Sequence, residues 1–240
     1  MSEGSLLAVL ADGVGGNIRG GTAAEMAVDK FISLHRAGVL NPGTLGEYFA
    51  ELAVEMRDVN REMATTIVLA LIVRRGKKME MTYTWAGDSR LYLLTAGNRR
   101  FRRGAKVSRE KGRNLYILSE DDTIPWRYFM HGEMGLDRVT TSESKNRLFF
   151  SLPRDGERMN DRIVTVGVSP GDRLLLCCDG FWERFEKQAS MAKWLEIKPG
   201  GFGRKFDRFM EQGLSLGKKI DNTTCIKIDL EEELFGGKSQ

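Results

Sequence analysis

The sequence predicts an α+β fold: a sandwich of two antiparallel β-sheets with helices outside. Three observations point there. Strand-like segments are interrupted twice by helical ones, in the order strand, two helices, a meander of strands, then helices and a last strand. The runs at 5–11 and 174–178 are apolar at nearly every position, as strands covered on both faces require. Met79 to Trp85 instead alternates apolar with polar residues, the period of a strand.

The elements follow in order. After the first strand comes Gly13-Val14-Gly15-Gly16-Asn17-Ile18-Arg19-Gly20-Gly21, a loop dense in glycine. Ala23, Ala24, Ala27, Phe31 and Leu34 then recur at helical spacing, and Gly38 with Pro42 stops the helix. Thr44 with Glu47 reads as a capping box opening a second helix, whose stripe is Leu45, Tyr48, Phe49, Leu52, Met56 and Val59. Ile67 to Val73 is β-branched and apolar, and Arg74-Arg75-Gly76-Lys77 makes the turn into the next strand. Arg90 to Leu94 follows closely. Residues 97–114 carry Arg99, Arg100, Arg102, Arg103, Lys106, Arg109, Lys111 and Arg113 against one acid, Glu110, and read as a solvated basic loop. Ile124 to His131 is a short helix with Pro125 in its first turn. Residues 132–162 are polar and irregular. Ile163 to Val168 and Arg173 to Cys178 are strands joined by Ser169-Pro170-Gly171-Asp172, helices are expected near 187–195 and 202–214, and the last strand is expected from Asp221. Residues 1–230 form one domain on this reading, and 231–240 a charged, frayed C-terminal tail.

Composition narrows the classes. With 240 residues, 41% hydrophobic and 29% charged, the chain can bury a sizeable core. A net charge of +4 gives no ground for nucleic-acid binding. No apolar run approaches the roughly 20 residues of a membrane span, and Met1-Ser2-Glu3-Gly4 lacks the basic start of a secretory signal. Cys177, Cys178 and Cys225 sit in apolar runs without a Cys-x-x-Cys motif, which reads as buried reduced thiols in a cytoplasmic protein.

The chemistry lies at the strand ends. Leu6 to Leu10 runs into Ala11-Asp12-Gly13, Thr82 to Trp85 into Ala86-Gly87-Asp88-Ser89, and Leu174 to Cys178 into Asp179-Gly180. Asp221-Asn222 precedes the last strand. Each dipeptide alone is a common turn pair, but four strand ends share one pattern, and antiparallel neighbours would gather the carboxylates at one end of the sheets. Clustered carboxylates need a counter-charge, and hard divalent cations with oxygen ligands, Mn²⁺ or Mg²⁺, supply it. Asp12, Asp179 and Asp221 are the candidate ligand set. Asp12 is the candidate bridge between two ions, because the Gly13 carbonyl can approach a cation unobstructed. A water held between two such ions could attack phosphorus, with the ions neutralising charge on the phosphoryl oxygens. His35 and His131, the two histidines, lie in helical segments and suit no nucleophilic triad.

Six blocks, in order, carry a resemblance. They are Ala11-Asp12-Gly13-Val14-Gly15-Gly16, Ala64-Thr65-Thr66, Ala86-Gly87-Asp88-Ser89-Arg90, Leu118-Ser119-Glu120-Asp121-Asp122-Thr123, Cys178-Asp179-Gly180-Phe181-Trp182-Glu183 and Asp221-Asn222-Thr223-Thr224. The set resembles the metal-dependent Ser/Thr protein phosphatases of the type-2C (PPM) family, bacterial branch. The resemblance implies a four-layer α+β sandwich and hydrolysis of phosphoserine and phosphothreonine on proteins with Mn²⁺ or Mg²⁺. By match, Asp12 bridges two ions, the Gly13 carbonyl binds one, Asp179 and Asp221 complete a shell, and Asp88 helps hold a third, weaker ion. Phosphoproteins are the implied partners, with a cognate Ser/Thr kinase or its substrates.

Two departures stand out. The family carries an Arg-x-x-Asn-x-Asp segment ahead of the first Asp-Gly strand; here only five residues precede Leu6, so the first strand is expected to be missing and a sheet edge exposed. With that arginine gone, Arg19 is the candidate phosphate-binding residue. The position the family fills with histidine after Asp121 is Asp122. The alternative to an active enzyme is a catalytically impaired, phosphatase-like module that binds phosphorylated or acidic partners through the basic 99–113 loop.

Overall fold

The computed structural model describes residues 4–15, 18–215 and 221–231. The expected tail from residue 232 onward lies outside the described residues, as do Gly16 and Asn17 of the glycine loop. No helix among the described residues is long and apolar enough to cross a membrane.

Two antiparallel sheets face each other. Strands β1 (Ser5–Gly13), β2 (Thr65–Arg75), β3 (Lys78–Ala86) and β7 (Val164–Val168) form one sheet in the order β1-β2-β3-β7. Strands β4 (Arg90–Thr95), β5 (Ala105–Glu110), β6 (Arg113–Ile117), β8 (Arg173–Cys177) and β9 (Cys225–Asp229) form the other in the order β5-β6-β4-β8-β9. Helices α1 (Ile18–Arg36) and α2 (Leu45–Val59) cover the first sheet. Helices α3 (Ile124–Met130), α4 (Leu136–Val139), α5 (Asp179–Trp182), α6 (Met191–Leu195) and α7 (Pro199–Ser215) lie on the side of the second. This is the expected four-layer sandwich, with β1 at the edge of its sheet.

Strand periodicity explains the apolar runs. On β2, Val68, Ala70 and Ile72 point into the core between the sheets, while Ile67, Leu69 and Leu71 point out under α1 and α2. On β8, Leu174 and Leu176 point between the sheets, and Leu175 and Cys177 outward against Trp182 and Trp194. Both faces are covered, so neither strand can carry the polar alternation of a half-exposed one. Phe181 ties the outer core of the second sheet together, with Trp194, Phe206 and Phe209 rings 5.0 to 6.1 Å away.

Three local expectations change. Thr44 makes no capping bond to α2; its hydroxyl turns back to the carbonyls of Val39 and Asn41, which holds the preceding turn instead. The last strand starts at Cys225 rather than Asp221, and 221–224 precede it as irregular backbone. The basic 99–113 loop is largely a hairpin of β5 and β6, turned at Lys111 and Gly112, both with positive φ. Three of its cations hold the fold: Arg99 binds Asp172 and the Gly167 carbonyl, Arg103 binds Glu120, and Arg113 binds the Gly171 carbonyl. The basic excess is therefore smaller than the local sequence shows, because the neutralising acids come from elsewhere in the chain.

Candidate metal centre

Asp12 lies near the C-terminal end of β1, opposite Thr66 in the register. Its main chain is fixed from both sides. The Thr65 hydroxyl donates to the Asp12 carbonyl (2.9 Å), and the Asp12 N–H donates to the Thr66 hydroxyl (3.2 Å), which also bonds Ser89 Oγ (2.8 Å). The next residue must be glycine, since a Cβ on Gly13 would come within 2.3 Å of the Gly20 backbone at the start of α1. This close backbone approach seats the helix directly against the end of β1.

Asp179 arrives from the other sheet, two residues beyond the end of β8. The chain after β8 is laced to the chain before β9. The Cys178 N–H donates to the Thr224 carbonyl (3.2 Å), the Thr224 N–H to Cys178 Sγ (3.2 Å), the Cys178 thiol to the Asn222 carbonyl (3.3 Å), and the Thr223 hydroxyl to the Gly180 carbonyl (3.1 Å). A side chain on Gly180 would collide with the Asn222 carbonyl at 2.3 Å. This lacing carries Asp221 toward the same corner.

One donor atom each from Asp12, Cys178 and Asp179 lies within 4.8 Å of the others. Asp221 is exposed and outside that tight group, yet near enough for its charge to act on Asp12. Burial, then the charge and hydrogen bond of Asp179, then the charge of Asp221, push the Asp12 carboxyl up to about 7, against a lowering bond from the Gly13 backbone. A bound cation would relieve that repulsion. Burial pushes the Cys178 thiol up to about 12, and it is already engaged on both sides, so the donor set is in effect carboxylate oxygen. Oxygen donors around concentrated negative charge fit Mg²⁺ or Mn²⁺.

Asp88, almost fully buried in the turn after β3, is outside that tight group but near enough for the charge of Asp179 to act on it. Burial and then the charges of Asp179 and Asp121 hold its carboxyl well above the usual range. The turn needs Gly87 at φ +95°, where a Cβ would strike Thr66 at 2.6 Å. The Asp88 carbonyl accepts the Trp182 indole N–H (2.9 Å), and the Arg90 guanidinium lies 3.5 Å over that indole. Arg90 is itself fully buried, bonding both oxygens of Asp121 at 2.9 and 2.6 Å and Gln188 at 2.9 Å.

Arg19 does not reach the carboxylates. Its guanidinium bonds Glu62 (2.5 Å) and Asn60 (3.3 Å) in the connection between α2 and β2, and both charged side chains are more than half exposed. Two residues that the sequence left without a role, Asp122 and Arg162, form a bidentate pair beside the Gly87–Asp88 turn. Only the replacement of histidine by Asp122 hinted at it. His131 is exposed at the end of α3, and His35 bonds Ser5 Oγ (3.2 Å), away from the cluster.

No family model matches the chain. A serine/threonine phosphatase, stp, of Listeria welshimeri serovar 6b is 27% identical over 236 residues, 93% of this chain and 84% of that protein. Among solved structures, a bacterial serine phosphatase aligns with a TM-score of 0.65 at 20% identity over 95% of this chain and 87% of its own. The catalytic domain of the serine/threonine protein phosphatase PstP, in complex with 2 manganese ions, aligns with a TM-score of 0.59 at 20% identity, covering 94% and 88%. These structures share the fold.

Proposed function

We infer that this chain is a bacterial PPM-type serine/threonine protein phosphatase, and we propose that it hydrolyses phosphoserine and phosphothreonine esters on proteins with Mn²⁺ or Mg²⁺ as cofactor. The observation that carries this reading is the meeting of Asp12 and Asp179, from opposite sheets and distant parts of the chain, where burial and the charges of Asp179 and Asp221 raise the Asp12 carboxyl. The relative from Listeria welshimeri, named for the same activity, agrees with it.

Asp12, the Gly13 carbonyl, Asp179 and Asp221 would hold two ions, and Asp88 would help hold a weaker third. Bound there, the ions would supply positive charge for the phosphoryl oxygens and an acidified water. The chain's own work is to hold carboxylates in mutual repulsion until cations arrive. Thr65 and Thr66 fix the Asp12 backbone, the lacing of 178–180 to 222–224 fixes Asp179, and the Trp182 indole fixes the Asp88 carbonyl. Arg19 can serve the substrate phosphate by releasing Glu62, since an exposed ion pair is worth only about 0–1 kcal/mol. We place the enzyme in the cytoplasm, where its three free cysteines would stay reduced, opposing a Ser/Thr kinase.

The test is release of phosphate from a phosphothreonine peptide with Mn²⁺. Asp179→Asn and chelation should each lower the rate by roughly 10²–10³-fold, the scale of losing one charge-stabilising contact. Equal rates in all three conditions would dismiss the reading.

A further inference from the structure

Residues 148–162 touch the backbone beneath both halves of the cluster. Leu152 exchanges two main-chain hydrogen bonds with Thr65 (2.9 and 3.0 Å), the residue whose hydroxyl holds the Asp12 carbonyl. Ten residues on, Arg162 ends a 3₁₀ helix (Gly156–Arg162) and reaches the turn that presents Asp88. Its two terminal nitrogens bond Asp122 Oδ2 (2.7 Å) and Oδ1 (2.6 Å), and the guanidinium lies 3.8 Å over the Phe150 ring.

Asp122 in turn grips Gly87 twice. Its carboxylate accepts the Gly87 N–H (2.8 Å), and its own N–H donates to the Gly87 carbonyl (3.0 Å). Gly87 is the left-handed residue that aims Asp88. Asp122 is nearly fully buried, so without Arg162 its charge would lack its strongest partner and its grip on the turn would loosen. The separation of 40 residues between Asp122 and Arg162 makes the pair a link between the 132–162 segment, which carries α4 and the 3₁₀ helix, and the Gly87–Asp88 turn.

We propose that Arg162 and Asp122 are positioning residues that hold Asp88 in place for a divalent cation, so that the 148–162 segment sets the affinity of the weakest ion. The proposal rests on the reading of Asp88 as a ligand. Hydrogen-bonding partners behind a ligand commonly govern metal affinity by about 10–100-fold.

The full chain, freed of metal, is titrated with Mn²⁺ while the free-ion electron paramagnetic resonance signal is followed, for wild type, Arg162→Gln, Arg162→Lys, Asp122→Asn and the double variant Asp122→Asn/Arg162→Gln. The weakest class of Mn²⁺ sites should lose about 10–100-fold in affinity in Arg162→Gln and Asp122→Asn, while the tighter class keeps its own. Arg162→Lys should fall between, because an ammonium keeps the charge but not the fork. The double variant should be no worse than the more affected single one. With a phosphothreonine peptide, kcat at limiting Mn²⁺ should fall and return at high Mn²⁺, with KM for peptide unmoved. Loss of all Mn²⁺ classes in step with melting temperature, or no change in any, overturns the proposal. A wild-type chain that turns over peptide but binds Mn²⁺ in one class only overturns Asp88 as a ligand, and with it the proposal. A wild-type chain with neither turnover nor Mn²⁺ binding overturns the phosphatase reading itself.

Discussion

Asp12 concentrates the electrostatics of the site. Its carboxyl is raised to about 7 by burial and by Asp179 and Asp221, so a proton would compete near neutrality with a cation bound there. Mn²⁺ affinity measured by calorimetry should therefore fall as pH drops below about 7, with proton release on binding, and level off above it. Asp179→Asn, which removes the second-largest cause of the shift, should move that fall to lower pH. An affinity flat from pH 5 to 8 would contradict the shared-charge arrangement. Asp12, Asp88 and Asp179 stood out as candidates because each is an aspartate next to a small residue at the end of an apolar run, a pattern that survives without coordinates; Asp221 stood out in the mirror order, ahead of the last strand. Asp122 and Arg162 were not legible. Nothing in local spacing pairs residues 40 apart, and Arg162 sits at the end of a polar stretch whose 3₁₀ turn has no apolar period.

At the scale of elements, the β3–β4 turn is supported by an ion pair wholly removed from water. Arg90 lies at the first position of β4, bonded to both oxygens of Asp121 and stacked over Trp182 at the end of α5. Removing one member of such a pair leaves the other charged and buried, so Arg90→Met should cost about 3–5 kcal/mol in urea unfolding, whereas Arg90→Met with Asp121→Leu should recover most of that loss. Equal losses in the single and double variants would show that the pair acts through packing alone. Elements with strong apolar period, α1, α2, β2, β3 and β8, were legible to within a few residues. The β5–β6 hairpin was hidden because its cations look uncompensated in sequence; Glu120 and Asp172, which neutralise Arg103 and Arg99, arrive from later connections. Thr44 and Glu47 had the spacing of a cap, but the Val39–Asn41 turn offered the hydroxyl closer carbonyls.

Across the whole molecule, the candidate ligands come from four chain segments and both sheets, so cation binding there would be coupled to folding. A ligand at 100 times its Kd stabilises the folded state by about 2.7 kcal/mol. For a chain of this size that corresponds to a rise in Tm of roughly 5–11 °C in Mn²⁺ over chelator, read by calorimetry. The rise should be larger at pH 8 than at pH 5. A carboxylate whose folded value is raised loses stability as pH climbs from its unfolded value near 4 through 7, and the cation removes that penalty. A Tm indifferent to Mn²⁺ at pH 8 would separate the cluster from cation binding.

Asp12 rides on one sheet and Asp179 on the other, with Trp85, Leu91, Leu176 and their neighbours filling the space between. The gap between the two carboxylates is thus gauged by the thickness of an oily filling that never meets substrate. Swapping interior side chains at constant total volume would leave that spacing alone. Swelling or thinning the filling would pry open or pinch the jaws, and catalysis would register a change made entirely in the dry interior.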